Sequence, residues 1–406
     1  MTFAELWEQL LPVGRDEATG GYRRYSWTEA DAACRGWFAR TATDLGLRTD
    51  YDRNGNLWAW WGQPGRGAGS AVATGSHLDS VPDGGAFDGP LGIVSAFAAI
   101  SQLRAAGFRP ARPIGVAAFT EEEGGRFGVA CLGSRLLTGA IDPAAARELR
   151  DGDGVRLADA MLAAGRDPAL LGPDDELLAE LGSYVELHVE QGSALDGLGA
   201  AIGVAEGIWP HGRWRFDFAG RPDHAGTTRL ADRRDPMLPY AATVQAARTA
   251  AAAHGALATF GKVTAEPGAA NAISAAVRAW LDARAPDEAV LERLVGDIKA
   301  AAATAAAEHG VGLDLRRESF TALVAFSPAL RDRLVRVLAA AGFTAPALPT
   351  GAGHDAGVLA ARIPTAMLFV RNPTGVSHSP AEHAELADCE TGVAALAAVL
   401  ADLAGG

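Results

Sequence analysis

Four short apolar runs in this 406-residue chain each break off into a polar or Gly-containing turn that carries His, Asp or Glu. AVATGS at 71–76 runs into His77, and PIGVAAF at 113–119 runs into the acidic stretch TEEEGG. SYVELHV at 183–189 is followed by Glu190, Gln191 and Gly192, and AMLFV at 366–370 by NPTGVSHSPAEH. Runs of four to eight apolar residues bounded by such turns read as buried strands. Between the first two lies GIVSAFAAISQLRAAG, a helix closed by Gly107. Strand, loop, helix, strand is the pattern of a mixed α/β layer whose ligands bind where strands end.

The rest of the chain fits around that layer. Residues 1–45 have helical spacing, NLWAWWG near 56–62 reads as a strand, and the Ala-, Asp- and Leu-rich stretch 140–182 reads as surface helices. From about residue 207 the texture changes: GRWRFDFAG and ISAAVRAWLDARA alternate with period two, beside Ala-rich helices near 239–254 and 286–308. Strand, helix, strand, strand, helix, strand describes a small ferredoxin-like α+β unit. Helix and strand alternate again after 321. The expected organisation is one α/β domain split into 1–207 and 321–406, with a lid inserted at 208–320.

Composition removes several classes. Apolar residues make up 49% and charged residues 21%, which excludes a disordered chain. A formal net charge of -13 argues against nucleic acid or an anionic membrane as partner, since both need basic patches. Cys34, Cys131 and Cys389 are too few and too scattered for a disulfide framework or a CxxC metal site. There is no apolar run of about 18 residues, and MTFAELWEQLLPVG lacks the basic and apolar regions of a leader, so the expected location is cytoplasmic.

The strand-end turns hold the chemistry. His77 and Asp88, 11 residues apart around a Gly-rich loop, are residue types that ligate Zn²⁺ and related ions, and Asp79 can orient the His77 ring. In the run 121–123 one carboxylate can bind metal while a neighbour stays free as a base. On an alternating strand, Glu186, His188 and Glu190 would share a face. His378 follows the last apolar strand. Taken singly, each has an ordinary reading as a solvated loop, a charged surface or a satisfied core histidine. Their joint recurrence at strand ends points to a metal centre.

With these motifs in place the sequence resembles the M20-type amidohydrolases, on GSHLDS, GGAFDGPLG, EEGGRFG, HVEQG, DHAGTT and SHSPAE, in that order from about residue 75 to 383. HVEQG and DHAGTT narrow the resemblance to the branch of allantoate amidohydrolases, N-carbamoyl-L-amino-acid hydrolases and β-ureidopropionases. It implies a zinc-peptidase-like mixed-sheet catalytic domain with an inserted lid and dimerisation domain. Two divalent ions per subunit (Zn, or Mn, Co or Ni) are implied, one held by His77, Asp88 and His188, the other by Asp88, Glu123 and His378. Glu122 matches the general base, Gly124 fixing the register of the acidic run, and His224 the lid histidine that stabilises the oxyanion. Gln191, Asn271 and Arg284 match substrate-binding residues, and TGAGHDAG at 350–357 places Gly353 and His354 at the site. The implied substrate is a small N-carbamoyl amino acid or allantoate, with an N-formyl- or other N-acyl-amino acid as the alternative, and the implied assembly is a homodimer. Arg213 and Arg229 remain open between surface charge and contact with a second acidic group of the substrate.

Overall fold

The computed structural model describes every residue except Arg66, Ala68 and Gly406. The chain forms two compact units: Met1–Gly207 with Ala325–Gly406, and Ile208–Val324. In chain order the large unit contributes strands β1 (Arg48–Tyr51), β2 (Leu57–Trp61), β3 (Ala71–His77), β4 (Ile114–Phe119), β5 (Leu181–Val189) and β6 (Ile202–Ile208). The small unit follows with β7 (His211–Ala219), β8 (Asp223–His224), β9 (Leu257–Glu266), β10 (Ala272–Ile273), β11 (Ala276–Arg284) and β12 (Gly312–Thr321). Then come β13 (Val324–Ala325), β14 (Ala347–Thr350) and β15 (Thr365–Val370).

The large sheet runs β1-β2-β4-β3-β5-β15-β6-β13, with β14 added on β6. Its centre is parallel: β4 with β3, β3 with β5, and β5 with β15. Strands in that position are covered by helices on both faces and lose the in-out alternation of a half-exposed strand. The strand carrying His188 is buried on both faces, all but one of its residues being inaccessible. The helix Pro90–Ala105 likewise has buried residues all round, including Leu91, Val94, Phe97 and Ile100. It joins Glu29–Asp44, Pro328–Ala340 and Leu386–Ala404 in one core with Val72, Val116, Leu187 and Leu368 of the strands. Residues 140–182 also differ from expectation. Their short helices enclose a second apolar cluster of Leu157, Ala160, Met161 and Leu171 with Phe127 and Leu136, so they are not merely a surface layer.

The small unit is a four-stranded antiparallel sheet in the order β12-β7-β11-β9. In β7 the buried residues Gly212, Trp214, Phe216 and Phe218 alternate with more exposed ones. They pack with Leu281, Leu294 and Ile298 under the helices Met237–His254 and Glu288–Glu308. A separate two-stranded ribbon pairs β8 with β10. Among the described residues no helix is long and apolar enough to cross a membrane.

Candidate active site

The parallel strands β4, β3, β5 and β15 all end at the same edge of the sheet, so the segments that follow them converge. β3 ends in His77, and the loop after it brings Asp88. The turn after β4 brings Glu122 and Glu123, β5 carries His188, and the loop after β15 carries His378. Two groups of three result, His77–Asp88–His188 and Asp88–Glu123–His378, each with ligand atoms within 4.8 Å of one another. Asp88 gives one oxygen to each. Its Oδ1 lies 3.5 Å from His77 Nε2 and 3.2 Å from His188 Nε2. Its Oδ2 lies 3.5 Å from His378 Nε2, which is 3.4 Å from Glu123 Oε2.

The two buried histidines are held so that the inner nitrogen faces the carboxylate. His77 Nδ1 is 3.1 Å from the Asp79 carbonyl and His188 Nδ1 is 2.8 Å from the Val189 carbonyl. A carbonyl only accepts, so each Nδ1 carries the hydrogen and each neutral ring turns a lone pair toward Asp88. Both Nε2 atoms are buried and without a hydrogen-bond partner among the described residues. Lone pairs facing a carboxylate require a positive charge between them, which a divalent cation supplies; the donor set fits such an ion. Without one, protons must serve. Burial opposes protonating His77, but Glu122, Asp79 and Asp88 outweigh it and hold its pKa well above the usual value. His188 is raised in the same way, its burial outweighed chiefly by Asp88. Burial works against ionised Asp88, but His188 and His77 keep its carboxyl well below the ordinary range. Gly89, at φ +84°, lets the loop pass the His77 ring: a Cβ there would fall 2.4 Å from Cε1.

The acidic run divides its labour through backbone geometry. Glu121 sits at φ +57°, and its Oε1 accepts from the amides of Arg126 and Phe127 at 2.9 and 2.6 Å, which ties up the turn. Asp79 accepts from the amides of Glu122 and Glu123, at 3.1 Å each, and so aims both side chains. Glu122 is buried; its Oε1 accepts the Cys131 thiol at 3.3 Å and its Oε2 lies 3.7 Å from His77 Nε2. Burial, reinforced by Asp355, Glu123 and Asp79, pushes its pKa well above the usual carboxylate value. Burial and then Asp88 push Glu123 up to about 8.

A third group, Glu186–His188–His354, also brings ligand types together. Glu186, however, has both oxygens occupied, by Ser76 Oγ at 2.8 Å and the Ala356 amide at 3.0 Å. His188 has one free nitrogen, so this group cannot be filled together with the first. His354 is buried with its ring 4.5 Å from that of His188, and burial together with that neighbour drives its pKa well down. Among the described residues, none beyond its own chain neighbours comes within 4 Å of where a Cβ on Gly353 would stand. Gln191, read from sequence as facing substrate, donates to Asp88 Oδ2 at 2.7 Å. Sequence reasoning passed over Glu382, Ser377 and Cys131. Glu382 accepts from the Phe87 and Asp88 amides, and Ser377 donates to Asp88 Oδ2. Glu382 stands inside the SHSPAE motif, but only its burial singles it out.

In the small unit the β8–β10 ribbon sets His224 opposite Ala272 and lets the Ala225 amide donate to the Asn271 carbonyl at 3.0 Å. His224 is exposed, and its Nδ1 accepts from the Gly226 amide at 2.9 Å. The neutral ring therefore carries its hydrogen on Nε2, as a donor. Arg284 is not beside this pair. It ends β11 opposite His211, eight residues from the Ala276 end, or about 27 Å of strand. It lies against Asp282, at 2.8 Å from Nε. Arg229 pairs with Asp232 at 2.6 Å, and Arg213 lies 3.5 Å from Asp282.

Known proteins resemble the chain over almost its whole length. The family model described as peptidase family M20/M25/M40 matches residues 73–402. The chain is 36% identical over 399 residues to an N-carbamoyl-L-amino acid amidohydrolase of Geobacillus stearothermophilus, covering 96% of both chains. It is 32% identical to the allantoate amidohydrolase of Escherichia coli, over 99% of this chain and 98% of that one. A crystal structure of an amidase of the hydantoinase/carbamoylase family from Burkholderia multivorans superposes with a TM-score of 0.88 at 30% identity, over 100% of this chain and 98% of that chain.

Proposed function

The chain belongs to peptidase family M20/M25/M40, and on that footing we propose that it is a two-metal hydrolase of the linear C–N bond in N-carbamoyl-L-amino acids or allantoate. One observation carries the reading: two ligand triads share Asp88, and the two buried histidine nitrogens facing it have no hydrogen-bond donor or acceptor among the described residues. His77, Asp88 and His188 would hold one ion, and Asp88, Glu123 and His378 the other. When bound, such ions supply Lewis acidity, which polarises a carbonyl and makes water acidic enough to ionise near neutrality.

The chain's own residues do the rest. Glu122, buried and aimed by Asp79 and Cys131, takes the proton of the attacking water and delivers it to the leaving nitrogen; its raised pKa suits a group that must both accept and release a proton. His224 offers its Nε2–H to the oxyanion of the tetrahedral intermediate. Arg284 provides a planar fork for the substrate α-carboxylate, and Asn271 and Gln191 provide amide contacts.

The test is a substrate panel on metal-loaded and chelated protein: allantoate, several N-carbamoyl-L-amino acids, 3-ureidopropionate and N-formyl-L-glutamate. Chelator-sensitive ammonia release from a ureido compound is the expected outcome. Formate release alone would transfer the activity to N-formyl substrates, and no turnover would overturn the substrate class.

The proposed assembly is a homodimer. His224 stands on the separate β8–β10 ribbon, which precedes the Ala276 end of β11, and Arg284 ends β11 about 27 Å of strand further on, a separation too long for one small substrate to span. Two copies remove the difficulty if each site takes His224 from one subunit and Arg284 from the other. Mixing the inactive variants His224→Ala and Arg284→Ala should then restore about a quarter of wild-type activity, because hybrid dimers carry one intact site. No recovery in a mixture shown to exchange subunits would count against the shared site.

A further inference from the structure

Glu382 belongs to neither triad, yet the two loops that supply Asp88 and His378 meet on its carboxylate. It stands four residues after His378 and is 5% exposed. Its Oε2 accepts the amides of Phe87 and Asp88, at 2.9 and 3.0 Å. Ser377 closes the knot, 3.5 Å from Glu382 Oε1 and donating to Asp88 Oδ2 at 3.1 Å. On the other side the loop is drawn tight: a Cβ at Gly85 would fall 2.2 Å from Glu382 Oε2. The main chain of Asp88 and one of its oxygens are therefore held from the loop that carries His378.

Asp88 is the residue the two triads share, each through a different oxygen. A group that orients an unshared ligand acts on one ion, whereas a group that orients Asp88 acts on both. We propose that Glu382 is a positioning residue that sets the affinity of both metal sites together, through Asp88; this rests on the two-ion reading above. A carboxylate suits the task because it can accept two adjacent amides and offers them no competing donor.

Calorimetric titration of the metal-free chain with Co²⁺ tests this without reference to turnover. Wild type should take up two ions. Glu382→Ala should weaken both binding steps by about 10–100-fold, the usual consequence of removing a partner that orients a ligand. Glu382→Gln, which keeps one accepting oxygen, should weaken both by less. His378→Ala should weaken one step and spare the other, and so calibrates what a single-site effect looks like. Wild-type binding in both Glu382 variants would overturn the inference, as would a loss confined to one step. If Glu382→Ala fails to fold, the Glu382→Gln titration decides alone. A wild-type chain that binds fewer than two ions would overturn the two-ion reading and this inference with it.

Discussion

His77 and His188 in the large unit are buried, and each gives its Nδ1 hydrogen to a backbone carbonyl; His224 in the small unit is exposed, and its Nδ1 accepts from a backbone amide. The partner of one ring nitrogen decides what the other can do. In the large unit it leaves two lone pairs facing a carboxylate, which is a demand for a cation. In the small unit it leaves an N–H facing outward, which is an offer to an anion. The same residue type is thus set to opposite tasks by a single hydrogen bond. Burial sharpens the contrast, because the demand in the large unit is not relieved by water, whereas the exposed His224 ring can exchange water for another acceptor at little cost.

The largest expected effect tests the buried side. Glu122→Gln keeps the shape and removes the proposed base, so kcat should fall by about 10²–10⁴-fold while two ions remain bound. Loss of metal in that variant would mean that Glu122 belongs to the ligand set. Next comes His224→Ala, where removal of the proposed oxyanion donor should cost about 10²–10³-fold in kcat, with metal content and thermal midpoint unchanged. A fall in metal affinity there would break the division of labour between the two histidine types.

The smallest effect is a pH dependence within the small unit. Burial, with Arg284 and Arg213 adding, holds the His211 pKa below its usual 6.5. As pH falls through 6.5 the unfolded chain takes up a proton that the folded chain refuses, so stability declines on acidification and is unaffected well above that value. The thermal midpoint of wild type should therefore drop more between pH 7.5 and 5.5 than that of His211→Gln. Equal drops would remove His211 from the account.

The expected segments compare closely with the observed ones where periodicity is local. The helix read at 92–107 is found at Pro90–Ala105, and the strands read at 71–76 and 113–119 are found at Ala71–His77 and Ile114–Phe119. The edge strand Arg48–Tyr51 was not legible, since its exposed, charged residues carry no apolar signal and its existence depends on pairing with β2. Asn271 and Arg284, 13 positions apart, both match substrate-binding residues of the family, but their relative placement was not legible in the sequence. The ribbon turns Asn271 toward His224, and the straight run of β11 carries Arg284 to the far end of the sheet.

What the residue order settles is the inventory: which strands are apolar, which turns follow them, and that His, Asp and Glu stand in those turns. Hydrophobic period and turn chemistry are properties of neighbours along the chain, so they survive without a fold. Which nitrogen of a histidine is free, which of three adjacent glutamates turns away, and which carboxylate holds Asp88 were decided only by folding. Those choices depend on partners far away in sequence. Asp79 reaches the Glu122 amide across 43 positions, and Glu382 reaches the Asp88 amide across 294. A buried polar group takes whatever partner packing brings within about 3 Å, and no local pattern encodes that choice.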